Sequence, residues 1–340
     1  MSDGMKRWIS ASFLLIPLVL LLILTESRKS TETNQVENRL YTIGISLPHT
    51  ENPYRNAMKS LLEEAYGEGS GDDRRADILI YDGEKSQKKQ NEDLLEMIRM
   101  HVDAIVLVPA TYDGPISMVK YAGENGIPVI VVDDDLDMTQ GAALTSRITA
   151  NNIQTGYQAA QLLLEGVEKK YPEEPVWNVI ELTGMSDVSS VISRTQGRLE
   201  AFLNLENVNL LGSYVAGYER AHAKSIVEDC LNIQKDIHGI LCQNDLMALG
   251  AYDALKEAHM LDKVVVVGID GQREVWNRIM DGFIYGTVVQ QPEMVCQGVE
   301  IACDYLDGKY VEEVYYQETI SITLENVREE MLKGTSWKIE

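Results

Sequence analysis

Basic residues are scarce in this sequence of 340 residues. It carries 53 aspartates and glutamates against 30 lysines and arginines, which gives a formal net charge of −23 at pH 7. The basic residues form no stripe that would attract a phosphate backbone. Because so acidic a chain repels nucleic acid, we expect no nucleic-acid partner.

Cysteine is also rare, and its spacing excludes the usual cysteine sites. The four cysteines, Cys230, Cys242, Cys296 and Cys303, form neither a C-x-x-C pair nor a cluster with histidine, so neither a zinc site nor a redox pair is indicated. Cys296 and Cys303 would lie about 10 Å apart on one helix at ~1.5 Å per residue, which is too far for a disulfide. We expect buried thiols that act as small apolar side chains, and no metal or cofactor.

Catalytic sequence motifs are absent as well. The chain has no G-x-S-x-G, no H-E-x-x-H, no P-loop and no Cys/His pairing, so nothing indicates a nucleophile, a zinc-bound water or a nucleotide site. We therefore predict that the protein is not an enzyme. With 45% hydrophobic and 24% charged residues, the chain can still build one large or two medium domains with real cores.

A long apolar run stands near the N-terminus. Residues 8–24 are uncharged, follow Lys6 and Arg7, and match the short end of the ~17 to 25 residues that span a bilayer. The run is either a signal peptide or a signal anchor. No small-x-small cleavage pattern and no cysteine for acylation follows the run. We therefore favour the interpretation that residues 1–25 form an uncleaved anchor. Residues 26–40 are polar and predict a flexible tether.

The basic flank of this run predicts the orientation of the protein. Positive residues stay on the cytoplasmic side of a membrane, so everything after the anchor would lie outside. The expected location is the cell membrane, with a single N-terminal span and an extracytoplasmic binding domain. Cleavage of the span would instead give a secreted protein.

Strand, turn and helix patterns alternate along the rest of the chain. Runs such as 103–108 and 127–133 are continuous and β-branched, as in parallel strands with helices on both faces. The rhythm breaks near Pro172 and Pro175 and then restarts. The sequence therefore predicts an α/β protein with two doubly wound parallel-sheet lobes. The cleft between such lobes is where a small ligand would bind.

Polar residues follow the predicted strands, and the clearest case is Asn244. An apolar run stops at Asn244 and Asp245, and a helical pattern begins there. Asn244 either caps this helix or faces a ligand, since the carboxyl ends of parallel strands line the ligand crevice. The recurrence of such residues favours a ligand. The set is Asn52, Asp133, Asn152, Arg194, Tyr218, Asn244, Asp270 and Gln290. Carboxylates, amides, a guanidinium and an aromatic ring suit a neutral ligand rich in hydroxyl groups.

Seven short motifs follow one another in a characteristic order between about residue 41 and residue 327. They are T-I-G-I with E-N-P-Y (42–54), G-I-P-V-I-V-V-D (126–133), A-N-N (150–152), R-T-Q-G (194–197), Q-N-D-L-M-A-L-G-A (243–251), V-V-G-I-D-G (266–271) and T-V-V-Q-Q-P (287–292). In this order and spacing the chain resembles the type I periplasmic solute-binding proteins of the ribose- and galactose-binding class, which feed ABC importers. The resemblance implies ligand contacts at the residues named above and at Tyr54, with no covalent chemistry.

The resemblance also implies how the lobes are connected. The chain would cross between them near Thr149, Gln290 and Glu318, and these segments would act as a hinge about which the lobes close over the ligand. The implied N-terminal lobe comprises residues 41–149 and 291–318, and the C-terminal lobe comprises residues 150–290 and 319–340.

Two residues depart from the ribose binders. Arg55 stands where those proteins carry a second stacking aromatic residue after Asn-Pro, and Asp134 stands where many carry an arginine directly after the first-lobe aspartate. We expect Arg55 and Asp134 to face each other at the rim of the first lobe and to belong to the ligand site. The ligand would be a pentose, a hexose or a related polyol, and the exchange could admit a charged or amino-substituted sugar.

The same pocket fits two roles. We predict delivery of the sugar to the permease of an ABC importer; the alternative is a membrane-anchored sensor that presents its ligand-bound form to a sensor kinase. Sugar-responsive repressors share the two-lobed core but carry a helix-turn-helix ahead of it. This chain has an apolar run and a polar tether at that place, so a DNA-binding regulator is not expected.

Overall fold

The computed structural model describes residues 40–67, 69–70, 74–234 and 236–334. The predicted anchor, residues 1–25, lies outside the described residues, and so does the predicted tether, residues 26–40, apart from Leu40. Within the described part of the chain, no helix combines the length and the apolar character that a membrane span requires.

The first sheet is parallel throughout. Its strands are β1 (Tyr41–Leu47), β2 (Ala76–Asp82), β3 (Ala104–Leu107), β4 (Val129–Val132), β5 (Ser146–Ala150) and β11 (Val314–Gln317). They lie in the order β11-β5-β4-β3-β1-β2, and each neighbouring pair is parallel. The prediction of a parallel sheet is confirmed for this lobe.

The second sheet repeats this arrangement with one difference. Its strands are β6 (Trp177–Thr183), β7 (Val208–Val215), β8 (Gly239–Cys242), β9 (Val265–Asp270), β10 (Gly286–Val289) and β12 (Ile320–Thr323). They lie in the order β12-β10-β9-β8-β6-β7. The edge strand β12 runs antiparallel to β10, whereas the other neighbouring pairs are parallel.

Helices flank both sheets. They are α1 (Pro53–Tyr66), α2 (Gln87–Arg99), α3 (Ile116–Glu124), α4 (Asn152–Lys170), α5 (Ser189–Phe202), α6 (Arg220–Ile233), α7 (Asp245–Glu257), α8 (Arg273–Met280), α9 (Met294–Leu306) and α10 (Val327–Lys333), with a short 3-10 turn at Met138–Gln140. Cys296 and Cys303 lie on the same helix, α9, as expected, and both are free thiols. Cys303 is buried, whereas Cys296 is only half-buried.

The continuous apolar strands are explained by burial on both faces. In β3, Val106 packs with α1 and α9 on one side, while Ile105 and Leu107 pack with α2 and α3 on the other. In β8, Ile240 and Leu241 separate in the same way between the two cores of the second lobe. Neighbouring side chains point to opposite faces of a strand. When helices cover both faces, both sets of side chains are buried, and the strand sequence is therefore continuously apolar.

Candidate functional site

Strands from both sheets end at one cavity of about 670 Å³. Every residue of the predicted ligand site except Asn152 lines it. These residues are Asn52, Tyr54, Arg55, Asp133, Asp134, Arg194, Tyr218, Asn244, Asp270 and Gln290. The carboxyl ends of parallel strands therefore supply the cavity wall, as the doubly wound topology requires.

Asp133 follows β4 and receives hydrogen bonds from two directions. Arg55 donates to its Oδ2 atom, and Gln290, which follows β10, donates to its Oδ1 atom. Its backbone adopts the left-handed region with φ of 72°, and Thr149 Oγ1 donates to its carbonyl oxygen at 2.7 Å. Burial raises the pKa of the Asp133 carboxyl, and the charge of Arg55 opposes that rise. The ion pair with Arg55 offsets the free-energy cost of burying the Asp133 charge.

Arg55, in the first turn of α1, contacts two carboxylates. Its Nη2 atom donates to Asp134 Oδ2 at 2.8 Å, and its Nη1 atom donates to Asp133. Its guanidinium carbon lies 5.5 Å from the centre of the Tyr54 ring, within the range of a cation–π contact. The expected contact between Arg55 and Asp134 is therefore present. Two carboxylates balance the Arg55 charge, so this arginine does not make the cavity basic.

Arg194 lies inside α5 and is held on three sides. Its Nε atom donates to Asn152 Oδ1 at 3.0 Å, its Nη1 atom donates to the Gln243 carbonyl oxygen at 2.5 Å, and its Nη2 atom donates to Gln290 Oε1. Asn152, which the sequence also predicts for the ligand site, opens α4, and its amide oxygen contacts Arg194; the residue is not part of the cavity lining. The guanidinium plane is thereby fixed, which suits directional donation to a ligand.

Asp270 ends β9 at the cavity wall. Its φ of 128° is unusual for a residue with a side chain, and its carbonyl oxygen accepts from Gln290 N at 2.9 Å. Burial raises the pKa of the Asp270 carboxyl to about 7, with nearby Asp133 adding to the rise and Arg194 opposing it. The carboxyl group therefore titrates near neutral pH.

Two asparagines of the predicted site cap helices at the cavity wall. Asn244 Oδ1 accepts from Met247 N at 2.9 Å and caps α7; Asn52 Oδ1 accepts from Tyr54 N at 2.8 Å and caps α1. Both residues also line the cavity. Since the amide oxygen is used in the cap, the NH₂ group is the part of each side chain that can donate to a ligand.

An aromatic ring and a serine complete the second-lobe wall. Tyr218 adopts φ of 63° in the turn before α6, and its Oη atom lies 3.1 Å from Ser190 Oγ. Burial raises the pKa of the Tyr218 phenol to about 12, so the phenol stays protonated at neutral pH. The residue offers a ring face and a neutral hydroxyl. Within the described ranges, no group of three or more His, Cys, Asp or Glu side chains is placed to hold a metal ion.

Comparison with known families identifies the architecture. The family described as "Periplasmic binding protein domain" matches residues 43–310. The chain belongs to this family.

Relatives of this periplasmic binding protein include sugar import proteins. The ribose import binding protein of Bacillus subtilis is 28% identical over 86% of this chain and 88% of its own length. The D-apiose import binding protein of Paraburkholderia graminis is 30% identical over 88% of each chain. The galactofuranose-binding protein of Escherichia coli is 27% identical over 86% of this chain and 91% of its own length.

Solved structures share the fold. The crystal structure of a galactofuranose binding protein has a TM-score of 0.76 and 25% identity, and it covers 86% of this chain and 98% of its own. An ABC transporter periplasmic solute binding protein from Actinobacillus succinogenes with bound D-allose also has a TM-score of 0.76 and 25% identity, over 85% of this chain and 99% of its own.

Asp245 shapes the site of this periplasmic binding protein without lining the cavity. Its fully buried carboxylate accepts from the backbone N–H groups of Gly271 and Gln272 at 2.9 and 2.6 Å and from Thr287 Oγ1 at 2.7 Å. These bonds fix the turn that carries Asp270. The sequence placed Asp245 beside Asn244 at the start of a helix, but a capping pattern gives no sign that the side chain points to the next strand.

Asp134 contacts the opposite lobe. Its Oδ1 atom accepts from Ser189 Oγ and from Ser190 N, both at 3.1 Å, at the start of α5. Neither serine was predicted for the site. Their polar character is ordinary for a helix start, so no sequence signal distinguishes them.

Proposed function

We propose that this protein binds a monosaccharide or related polyol between its two lobes and delivers it to an ABC importer. The observation that carries the proposal is the set of polar side chains from both sheets around one cavity. Carboxylates accept from hydroxyl groups, amide NH₂ groups and Arg194 donate to them, and Tyr218 offers a ring face. The cavity of about 670 Å³ is of the size that small-molecule sites have. Relatives named as ribose and D-apiose import binding proteins support the same role.

The proposed ligand contacts fall into two groups. Asn52, Asp133 and Arg55 would contact the sugar from the first lobe, with Tyr54 behind them. Arg194, Tyr218, Asn244, Asp270 and Gln290 would contact it from the second lobe and the crossing after β10. Asn152 would act through Arg194. Binding without covalent chemistry, and hence a protein that is not an enzyme, is what this arrangement of donors and acceptors supports.

The proposed motion is closure of two lobes about their connections. The chain passes between the sheets after β5, after β10 and between β11 and β12, and we place the hinge there. The proposed lobes are residues 41–149 with 291–318, and residues 150–290 with 319–340. A sugar that contacts both lobes would favour the closed form by its differential affinity.

The proposed location is the extracytoplasmic side of the cell membrane. Residues 1–25 would form a single N-terminal anchor and residues 26–40 a tether, as the uncharged run after Lys6 and Arg7 indicates. The partner would be the permease of an importer. A sensor kinase is not favoured as the partner, because several curated relatives are named as import binding proteins.

Titration of the full-length protein with a panel of sugars tests this function. Isothermal calorimetry and thermal unfolding with D-ribose, D-galactose, D-fructose, D-allose and myo-inositol should show that at least one of them binds and stabilises. Replacing Arg194 with Met should abolish that binding, because it removes the fixed donors of the second lobe. The matched control is Arg74→Met, which removes an arginine that pairs with Asp77 on the surface. Absence of heat and of stabilisation with every member of the panel contradicts the proposal.

A further inference from the structure

Helix α5 starts without a cap of its own. Its N-cap residue is Val188, whose side chain makes no capping hydrogen bond and cannot accept one. Two other helices at the cleft cap themselves, as Asn52 does for α1 and Asn244 does for α7, whereas α6, whose N-cap residue is Glu219, begins without a side-chain cap. The first backbone N–H groups of any helix need an acceptor, so the start of α5 is incomplete within its own lobe.

The missing acceptor comes from the first lobe. Asp134 follows β4, and its Oδ1 atom accepts from the backbone N–H of Ser190 and from Ser189 Oγ, each at 3.1 Å. Ser189 Oγ in turn accepts from Asp135 N at 2.6 Å. A carboxylate at this place also meets the positive end of the α5 dipole. The geometry is that of an N-cap, except that the capping residue belongs to the other lobe.

The other oxygen of Asp134 is also engaged. Arg55 Nη2 donates to Oδ2 at 2.8 Å, and the residue is only 3% exposed. Hydrogen bonds within the protein therefore engage both carboxylate oxygens of Asp134. Asn52 and Asn244 differ from it, because their caps use the amide oxygen and leave the NH₂ group as the donor toward the cavity. Through Arg55 the cap is connected to Asp133, the carboxylate that contacts Gln290.

We propose that Asp134 is a positioning residue that caps α5 across the cleft, so that closing the lobes completes the helix and opening them leaves it uncapped. The inference rests on the proposed function in that it requires the lobes to open and close. Asp134 then acts on the closed state itself rather than on recognition of the sugar. A backbone hydrogen bond from Tyr112 N to Asp187 O at 2.8 Å joins the lobes next to the same junction.

The size of the effect follows from ordinary capping. Loss of an N-cap changes a folding equilibrium by about 3- to 30-fold, and here the equilibrium is between open and closed lobes. Removing the cap should lower the closed-to-open ratio by about that factor in the absence of sugar. With sugar bound, release should quicken by a similar factor, while the association rate should rise only in proportion to the larger open fraction, because the sugar enters the open form.

Single-molecule energy transfer on the full-length protein tests this proposal. Dyes on Lys88→Cys in α2 and Asp229→Cys in α6 report the distance between the lobes, in Asp134→Ala and in a matched control, Asp135→Ala. The side chain of Asp135 pairs with Arg147 in its own lobe, and its backbone N–H survives the substitution. We expect a larger open fraction without sugar for Asp134→Ala only. An unchanged sugar-free distance distribution in Asp134→Ala overturns the proposal.

Two further variants separate capping from a general loss of structure. Adding Val188→Asn to Asp134→Ala supplies a cap from within the second lobe, so thermal stability should return while the closed fraction stays low. A closed fraction that returns together with stability contradicts a cap in trans. Ser189→Ala removes one of the donors to Asp134 and should shift the closed fraction in the same direction by a smaller factor. No shift in that variant, if Asp134→Ala fails to fold, also overturns the proposal.

The outcomes for sugar binding and for capping are distinguishable. The sugar-free distance measurement does not depend on any ligand, so it decides the role of Asp134 even when no sugar of the panel binds. Failure of the panel contradicts the sugar-binding proposal alone. If Asp134→Ala releases sugar faster but leaves the sugar-free distance distribution unchanged, Asp134 contacts the ligand and the proposed cap is wrong.

Discussion

The buried Asp270 carboxyl makes the stability of the protein depend on pH. It is 7% exposed at the end of β9, and burial raises its pKa to about 7, whereas an aspartate in an unfolded chain titrates near ~3.9. The folded state thus holds this proton more tightly than the unfolded state does. The stability that results is fully present below about pH 4 and is lost as the pH rises through about 7.

Replacing Asp270 with Asn should therefore remove part of the pH dependence of stability. A shift of about 3 units corresponds to about 4 kcal/mol, so the variant should gain up to a few kcal/mol relative to the natural chain between about pH 5 and pH 8. Urea unfolding of the sugar-free full-length protein at several pH values measures this difference. The control is Asp229→Asn, at an exposed position on α6. Parallel pH profiles for the Asp270→Asn variant and the natural chain contradict the prediction.

Individual site residues could be predicted where backbone position alone decides the outcome. Asp133, Asn244 and Gln290 directly follow buried strands, and the edge of a parallel sheet brings such residues together whatever their rotamers. Asn152 and Asp245 occupy equivalent places in the sequence, yet one contacts Arg194 and the other fixes a neighbouring turn. A position at the end of a strand does not specify the direction of the side chain, which depends on packing between elements.

At the scale of elements, the contact between α4 and α5 orients Arg194. A Cβ atom on Gly197 would lie 2.0 Å from the carbonyl oxygen of Ile153, and one on Gly156 would lie 2.2 Å from the carbonyl oxygen of Arg194. Both distances are far below a van der Waals contact. The two helices can therefore approach closely only because these positions are glycines, and that approach places Asn152 within reach of the Arg194 guanidinium.

Gly197→Ala should separate these helices and weaken sugar binding. Overpacking of this kind costs about 1–3 kcal/mol, and the shift of α5 should reduce the affinity more than tenfold, because Arg194 loses its fixed orientation. The matched control is Gly123→Ala in α3, where an added Cβ meets no atom within 4 Å and should stabilise by about 0.5–1 kcal/mol. Denaturant unfolding and calorimetry with the sugar that binds the natural chain measure both effects. An affinity that Gly197→Ala leaves unchanged rules out this role for the helix contact.

Elements were predicted well from the sequence where burial on both faces produces an unbroken apolar run, as in β3 and β4. The antiparallel direction of β12 could not be predicted, because Ile320–Thr323 has the apolar alternation of a strand but no feature that states its direction. The residue that caps the start of α5 could not be predicted from the sequence either. Val188 is a poor N-cap, and only the position of the other lobe shows that Asp134 supplies the acceptor.

On the scale of the whole molecule, the number of lobes follows from repetition in the sequence, but the contacts between them do not. Asp134 and Ser190 are 56 residues apart and belong to different sheets. Their contact depends on the angle between two lobes that the chain connects after β5, after β10 and between β11 and β12. Local sequence patterns specify each lobe separately, so they mark Asp134 as a site residue but give no sign that its partner is Ser190 in the other lobe.

The proposed membrane anchor gives a prediction for the complete chain. Because no small-x-small pattern follows residues 8–24, a signal peptidase should leave the run attached, and the full-length protein should remain in the membrane fraction after an alkaline carbonate wash. Thr25→Ala combined with Ser27→Ala creates Ala-Glu-Ala directly after the run and should release part of the protein. Thr31→Ala combined with Thr33→Ala creates the same tripeptide farther from the run and should not. Natural protein found free, with its N-terminus near residue 25, would show a cleaved signal peptide instead, and sequencing of the N-terminus distinguishes the two.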